Sequence, residues 1–211
     1  MTSIASVILC ILTFLPLFAE ATPDRSLFEP GQNCVAYRVK KTSLVFFTGS
    51  PIIGKNCDIS AQLLPAVGGG MQVEVSVPVA SFDSGDKARD DDVKKILNEA
   101  EQSNILFHSE VMSEKEWRAL LQKDILTLRG ELLIGGKPYK VDLPLEFKKA
   151  SRGLEADGLV KLSFGQLGME PPKVGGGVIA KADSELELHF HLQTEKILGA
   201  EVLLAPEKGI L

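Results

Sequence analysis

The stretch Met71-Gln72-Val73-Glu74-Val75-Ser76-Val77-Pro78-Val79 decides the fold class. Valine occupies Val73, Val75, Val77 and Val79, while Gln72, Glu74 and Ser76 alternate with them. Successive side chains of a strand leave on opposite faces, so period two puts the valines on one face of a sheet and the polar residues on the other. The pattern returns in Tyr139 to Phe147, where Val141, Leu143, Leu145 and Phe147 alternate with Lys140, Asp142 and Glu146. It returns again near the end, where Leu186, Leu188, Phe190 and Leu192 alternate with Glu185, Glu187, His189 and His191. Weaker strands are expected over Val35 to Phe47, Ile59 to Leu64, Ile105 to Met112, Ile125 to Ile134 and Gly158 to Phe164, about eight in all.

The residues between these runs agree. Gly68-Gly69-Gly70, Gly135-Gly136 and Gly175-Gly176-Gly177 fall between strands, where positive φ is often required. Gly135-Gly136 has the length of a two-residue hairpin turn. One apolar and one polar face per strand indicates an antiparallel sheet, and closure into a barrel hides its edges. Two segments break the alternation. In Ala88 to Ala100, Val93, Ile96, Leu97 and Ala100 are spaced as on an amphipathic helix. Ser113-Glu114-Lys115-Glu116 has capping-box spacing ahead of Trp117, Leu120 and Leu121. The expected class is all-β with short helices, an antiparallel eight-stranded barrel in one domain over residues 22–211.

The first 21 residues differ from the rest. Ile4 to Phe18 is nearly all apolar and is followed by Ala19-Glu20-Ala21, a small-x-small pattern that fits a signal-peptide cut after Ala21. The run is shorter than the roughly 20 residues that span a bilayer. The expectation is export, to the periplasm or outright secretion. Losing Glu20 takes the net charge from −5 to about −4, and this acidic balance without a basic stripe argues against nucleic acid. Cys34 and Cys57 survive the cut. In an oxidising compartment they are expected to pair across a hairpin; two buried free thiols are the alternative.

At Val79 to Leu97 the chain resembles a known family. Ser81-Phe82-Asp83-Ser84-Gly85, with Arg89-Asp90 after it, is similar to the "S-[LI]-D-T-G-x-x-x-R-D" segment of the YceI family. Leu126-Thr127-Leu128-Arg129-Gly130-Glu131-Leu132 resembles its "L-T-L-x-G-x-L" strand. Gly136 to Val141 resembles its "G-V-x-x-P-V" turn, and Leu162 to Gly168 its "D-F-G" segment. The likeness runs from about Cys34 to Gln193, with departures at Ser163, at Asn104 and in the cysteine pair. It implies a lipocalin-like extended barrel, exported in bacteria, with an elongated pocket for a polyisoprenoid or another long-chain amphiphile, carried or stored without being transformed.

The strand faces then name a candidate lining: Phe46, Val73, Val75 and Val77; Leu126, Leu128, Leu143 and Leu145; Phe164, Leu186, Leu188 and Phe190. Eight strands enclose room for side chains or for one slender ligand. Burying a CH₂ contributes roughly 0.8 kcal/mol, so a tail of about 15 carbons gains on the order of 12 kcal/mol gross. The alternative is a barrel filled by these side chains, serving as a structural or interaction module. Arg89 is a candidate either for an ion pair with Asp83 or for an anionic ligand head at the mouth, and Asp83 for a turn bond ahead of Gly85.

Other chemistry finds little support. His189 and His191 share a strand face, and with His108 they could begin a metal site, but the alternation turns both outward, to solvent or a partner. No G-x-S-x-G, phosphate loop or cofactor motif occurs, and Asp83, Asp86 and Asp90 to Asp92 sit where a turn and a helix start favour acids. Neither catalytic residues nor a cofactor are expected. A homodimer and a periplasmic partner both stay open.

Overall fold

The computed structural model describes residues 23–29, 31–43, 49–174 and 180–205. The proposed signal peptide, Phe46 and the Gly175 to Gly177 run lie outside them. The strands are β1 Cys34–Ser43, β2 Gly49–Asn56, β3 Ser60–Pro65, β4 Met71–Pro78, β5 Asn104–Ser109, β6 Ile125–Ile134, β7 Lys137–Lys149, β8 Leu154–Ser163, β9 Lys173–Val174 and β10 Ala180–Gln193. Helices α1 Lys87–Ile96, α2 Glu114–Leu120 and α3 Glu201–Leu204 complete it. The sheet runs β2-β1-β10-β8-β7-β6-β5-β4-β3, every pairing is antiparallel, and β9 lies against the start of β10. It curls into a lipocalin-like half-barrel.

Ten strands stand where alternation predicts about eight. The additions are the two-residue β9 and β2, whose Gly-Ser-Pro-Ile-Ile-Gly-Lys-Asn has no period. Pairing with β1 holds β2: Tyr37 faces Gly54 in register, and a Cβ on Gly54 would lie 2.3 Å from the Tyr37 ring. As an edge strand it tolerates Pro51. Beside it, Cys34 and Cys57 are joined in a disulfide. The loop it closes stabilises the fold by on the order of 3 kcal/mol in the chain-entropy view.

Each edge strand of the sheet is bridged at one point by another segment of the chain. The edge of β2 exchanges Lys55 N–H to Asp83 O and Asp83 N–H to Lys55 O, each 2.8 Å. The edge of β3 bonds to Leu198, through Leu63 N–H to Leu198 O at 2.7 Å and Leu198 N–H to Ala61 O at 3.0 Å. Inside the sheet, β7 and β8 pair only from Leu145↔Gly158 to Lys149↔Leu154. Pro144 is the first residue beyond that pairing, where no ladder bond to β8 is demanded. The segment after β8 packs Phe164 and Leu167 with Val39, Ile134 and Leu186, and Tyr139 on β7 donates to Leu167 O at 2.6 Å.

Local signals act as the sequence requires. Gly135 and Gly136 have φ of 55° and 79° between β6 and β7, the positive pair a two-residue hairpin needs. Ser113 and Glu116 form the full capping box of α2. From α2, Trp117 donates to Met71 O at 3.0 Å and Arg118 donates to Leu203 O at 2.9 Å, so α2 and α3 are tied over one end of the barrel.

The outer face of β10 corrects an expectation. His189 and His191 are 1% and 7% exposed, not solvent-facing. The cover is the chain's own segment Asp24 to Phe28, which ends in a short 3-10 turn with Leu27 buried. Asp24 N–H donates to His189 Nδ1 at 3.4 Å, and Arg38 pairs with Asp24. Arg25 pairs with Asp157, which also bonds His191 Nδ1 at 2.7 Å. The Phe28 ring stacks on His191 with centroids 6.1 Å apart. Strand alternation assigns a face but not what lies on it.

Candidate functional site

The inner face of the curled sheet encloses a cavity of about 560 Å³, so its side chains do not fill the interior. Val73, Val75 and Val77 of β4 border it, with Leu128 of β6 and Leu143 and Leu145 of β7. From the far side come Leu186, Leu188 and Phe190 of β10, and Phe164 from the segment after β8. Arg89 stands at the wall as well.

Leu126 does not border the cavity, although it shares the inner face of β6 with Leu128. It is buried in the main core with Trp117 and Leu203. It lies at the strand end next to α2, the end that α2 and α3 plug. Alternation gives both residues one face, while position along the barrel axis separates core from lining.

Glycine creates part of the space. Phe190 lies over Gly158, its partner in β8. A Cβ on Gly158 would fall 1.9 Å from the ring, so glycine is what lets this ring lie flat against the wall.

The mouth is built by Phe82 to Leu97, most of which sequence reasoning did not assign to the site. Val93, Ile96 and Leu97, the apolar stripe of α1, border the cavity. Asp86 caps the helix, accepting N–H bonds from Ala88 at 3.0 Å and Arg89 at 3.3 Å. Asp83 accepts from Gly85 N–H at 2.8 Å, the expected turn bond. Arg89 reaches Ser84 instead of Asp83, donating from Nε to Ser84 Oγ and from Nη2 to Ser84 O, both at 2.8 Å. Ser84 also donates from its N–H and Oγ to Asp90, at 3.0 and 2.5 Å. Ser84 is therefore the hub of the mouth. A lone serine in a turn gives no sequence signal for that role.

Tyr37 also borders the cavity, 5.7 Å from Phe82 between ring centroids. Its hydroxyl is buried, with the Ser84 side chain as its polar neighbour. Burial holds its pKa above the ordinary tyrosine value, so it is un-ionised at neutral pH.

Among the described residues, no three His, Cys, Asp or Glu side chains are placed to share a metal ion. His108 instead bonds Glu74 at 2.8 Å, and Gln62 donates to the same carboxylate at 2.7 Å. No helix among the described residues is long and apolar enough to cross a membrane.

Comparison with known proteins gives the same architecture. The YceI-like domain matches residues 34–194. Burkholderia cenocepacia BcnA is similar in structure, with TM-score 0.55 and 20% identity over 81% of this chain and 98% of that one. A polyisoprenoid binding domain from Saccharophagus degradans, implicated in plant cell wall breakdown, has TM-score 0.54 and 10% identity over 74% and 91%. The Campylobacter jejuni YceI protein has TM-score 0.53 and 13% identity over 82% and 96%. By sequence, no curated protein matches the chain.

Proposed function

The chain belongs to the YceI-like domain family, and on that premise we propose that it is an exported carrier or store for a polyisoprenoid or similar long-chain amphiphile. The observation that carries the reading is the cavity of about 560 Å³ with an almost wholly apolar wall. A water molecule occupies about 30 Å³ of liquid, and a methylene is of similar size, so about 15 to 20 carbons fit inside. Burial of about 15 carbons contributes on the order of 12 kcal/mol gross. Association costs of at least about 4 kcal/mol leave affinity near micromolar at best from the tail alone. The tail's gain needs no polar contact, which suits a protein that lifts a lipid from one membrane and releases it to another.

The relative named as polyisoprenoid-binding supports the ligand class. Export belongs to the same proposal and rests on the apolar run before Ala21; a mature protein whose first residue is Thr22 supports it, and an intact Met1 contradicts it. Native mass spectrometry of gently purified protein tests the binding. A co-purifying hydrophobic mass is expected, and Val75→Trp and Leu188→Trp each reduce it at least tenfold while the fold survives. An empty protein that takes up no lipid from extracts contradicts the reading.

A further inference from the structure

The deep end of the cavity bears on tail length, a question that rests on the carrier reading. Strand β4 starts beside α2 and ends at the mouth, so it spans the cavity from end to end. On β4, Val73 borders the cavity and Met71, the preceding residue of the same face, does not. On β6 the wall stops between Leu128 and Leu126, and on β7 between Leu145 and Phe147. Each break falls on the side nearer α2, where Phe147 N–H reaches Asp124 O at 2.7 Å. Three strands therefore end the open volume towards the same helix, which makes a floor.

The space beyond the floor is filled. Leu126 is buried with Trp117, and Met71 and Phe147 pack against that same core. Trp117 backs the layer: it is 6% exposed, and its Nε1–H donates to Met71 O at 3.0 Å. The helix that carries it is tied on both sides. Ser113 and Glu116 close the capping box at its start, and Arg118 donates to the carbonyls of Val202, Leu203 and Ala205. A close-packed interior yields little to an incoming group, so a tail that enters past α1 stops here. For a lipid drawn from a bilayer, a methylene that moves into the cavity stays in apolar surroundings. One that the floor keeps out is left in water, which disfavours binding by roughly fourfold. Selection by length is therefore sharp once the cavity is full, at about 15 to 20 carbons.

We propose that Leu126, with Trp117 as the positioning residue behind it, is a stop that sets an upper limit on the length of the tail this protein takes from a membrane. Phosphatidylcholine vesicles carrying equal amounts of farnesol, geranylgeraniol and geranylfarnesol, with three, four and five isoprene units, test it. The protein is incubated with the vesicles and separated from them, and its bound prenols are measured by mass spectrometry. Farnesol and geranylgeraniol are expected to load, and geranylfarnesol at least tenfold less than geranylgeraniol. Leu126→Ala and Trp117→Ala each vacate part of the floor and should raise the ratio of geranylfarnesol to geranylgeraniol at least threefold. Val73→Phe adds bulk on the open side of the floor and should lower geranylgeraniol against farnesol at least threefold, a readout that holds even where the alanine variants fail to fold. Equal loading of geranylfarnesol and geranylgeraniol overturns the limit and leaves the carrier reading standing. Unchanged ratios in the folded variants overturn the assignment of the floor. Failure of all three prenols to load overturns the carrier reading, and the inference with it.

Discussion

The two faces of β10 are built from one alternating run and end in opposite states. Its inner face carries Leu186, Leu188 and Phe190, and these border open volume. Its outer face carries Glu187, His189 and His191, and the Asp24 to Phe28 segment closes over the two histidines until both are buried. The apolar face is left partly unfilled and the polar one is packed shut. Polarity alone would assign core and solvent the other way. Burial of the outer groups is sustained by pairing: Asp157 bonds His191 Nδ1 and pairs with Arg25, and Arg38 pairs with Asp24, while His191 Nε2 is left without a hydrogen-bond partner among the described residues. The inner face, which its own side chains do not fill, forgoes dispersion contacts that a packed core would make, and a ligand tail would supply them.

Changes to the two faces should accordingly separate stability from binding. The largest effect is expected from Asp157→Ala, which leaves Arg25 and His191 facing a vacated site. Removing one partner of a buried pair costs about 3–5 kcal/mol, read as a lower urea midpoint, while the inner wall keeps its shape. A stability loss under about 1 kcal/mol would mean the outer network is loosely held. Next is Gly158→Ala. Its Cβ collides with Phe190, and moving the ring costs about 1–3 kcal/mol as overpacking does. The ring's displacement into the cavity should also lower lipid capacity, which ties this mutation to both faces.

A smaller effect is expected with pH. Burial chiefly holds His189 below the ordinary histidine range, so the unfolded chain binds more protons than the folded protein near that range. Stability from this group is full above the ordinary histidine value and is lost as pH falls from there towards the depressed folded value. Asp24, bonded by Ser26 and Arg38, is held at about 2. Its contribution is present above the ordinary aspartate range and is lost as pH falls toward that value. The urea midpoint should thus drop between pH 7 and 5, and the slope should flatten in His189→Gln. An equal slope in both proteins would place the pH sensitivity elsewhere.

The same contrast shows what the sequence made legible. Strands β4, β7 and β10 were readable because one face meets apolar surroundings and the other does not. Alternation also placed Val75, Leu143 and Leu188 together on the inner wall. It failed for β2, whose strand state comes from pairing with β1 and the seating of Tyr37 over Gly54, contacts made between segments. It failed for the covering segment, because Asp24 to Phe28 is short and without period. Leu126 carried the right face at the wrong depth, and depth along a barrel depends on which helices plug its end. Ser84 could not be singled out, since its role exists only once Arg89 and Asp90 converge on it.

Methyl-resolved NMR of the protein labelled at Val and Leu, titrated with farnesol, tests the central claim most directly. Methyls of Val75, Leu143 and Leu188 should shift together and saturate, while Leu27 beneath the covering segment and Leu126 in the plugged end stay in place. Shifts centred on Leu27, or no saturable shift at the three lining residues, would contradict a ligand site on the inner face.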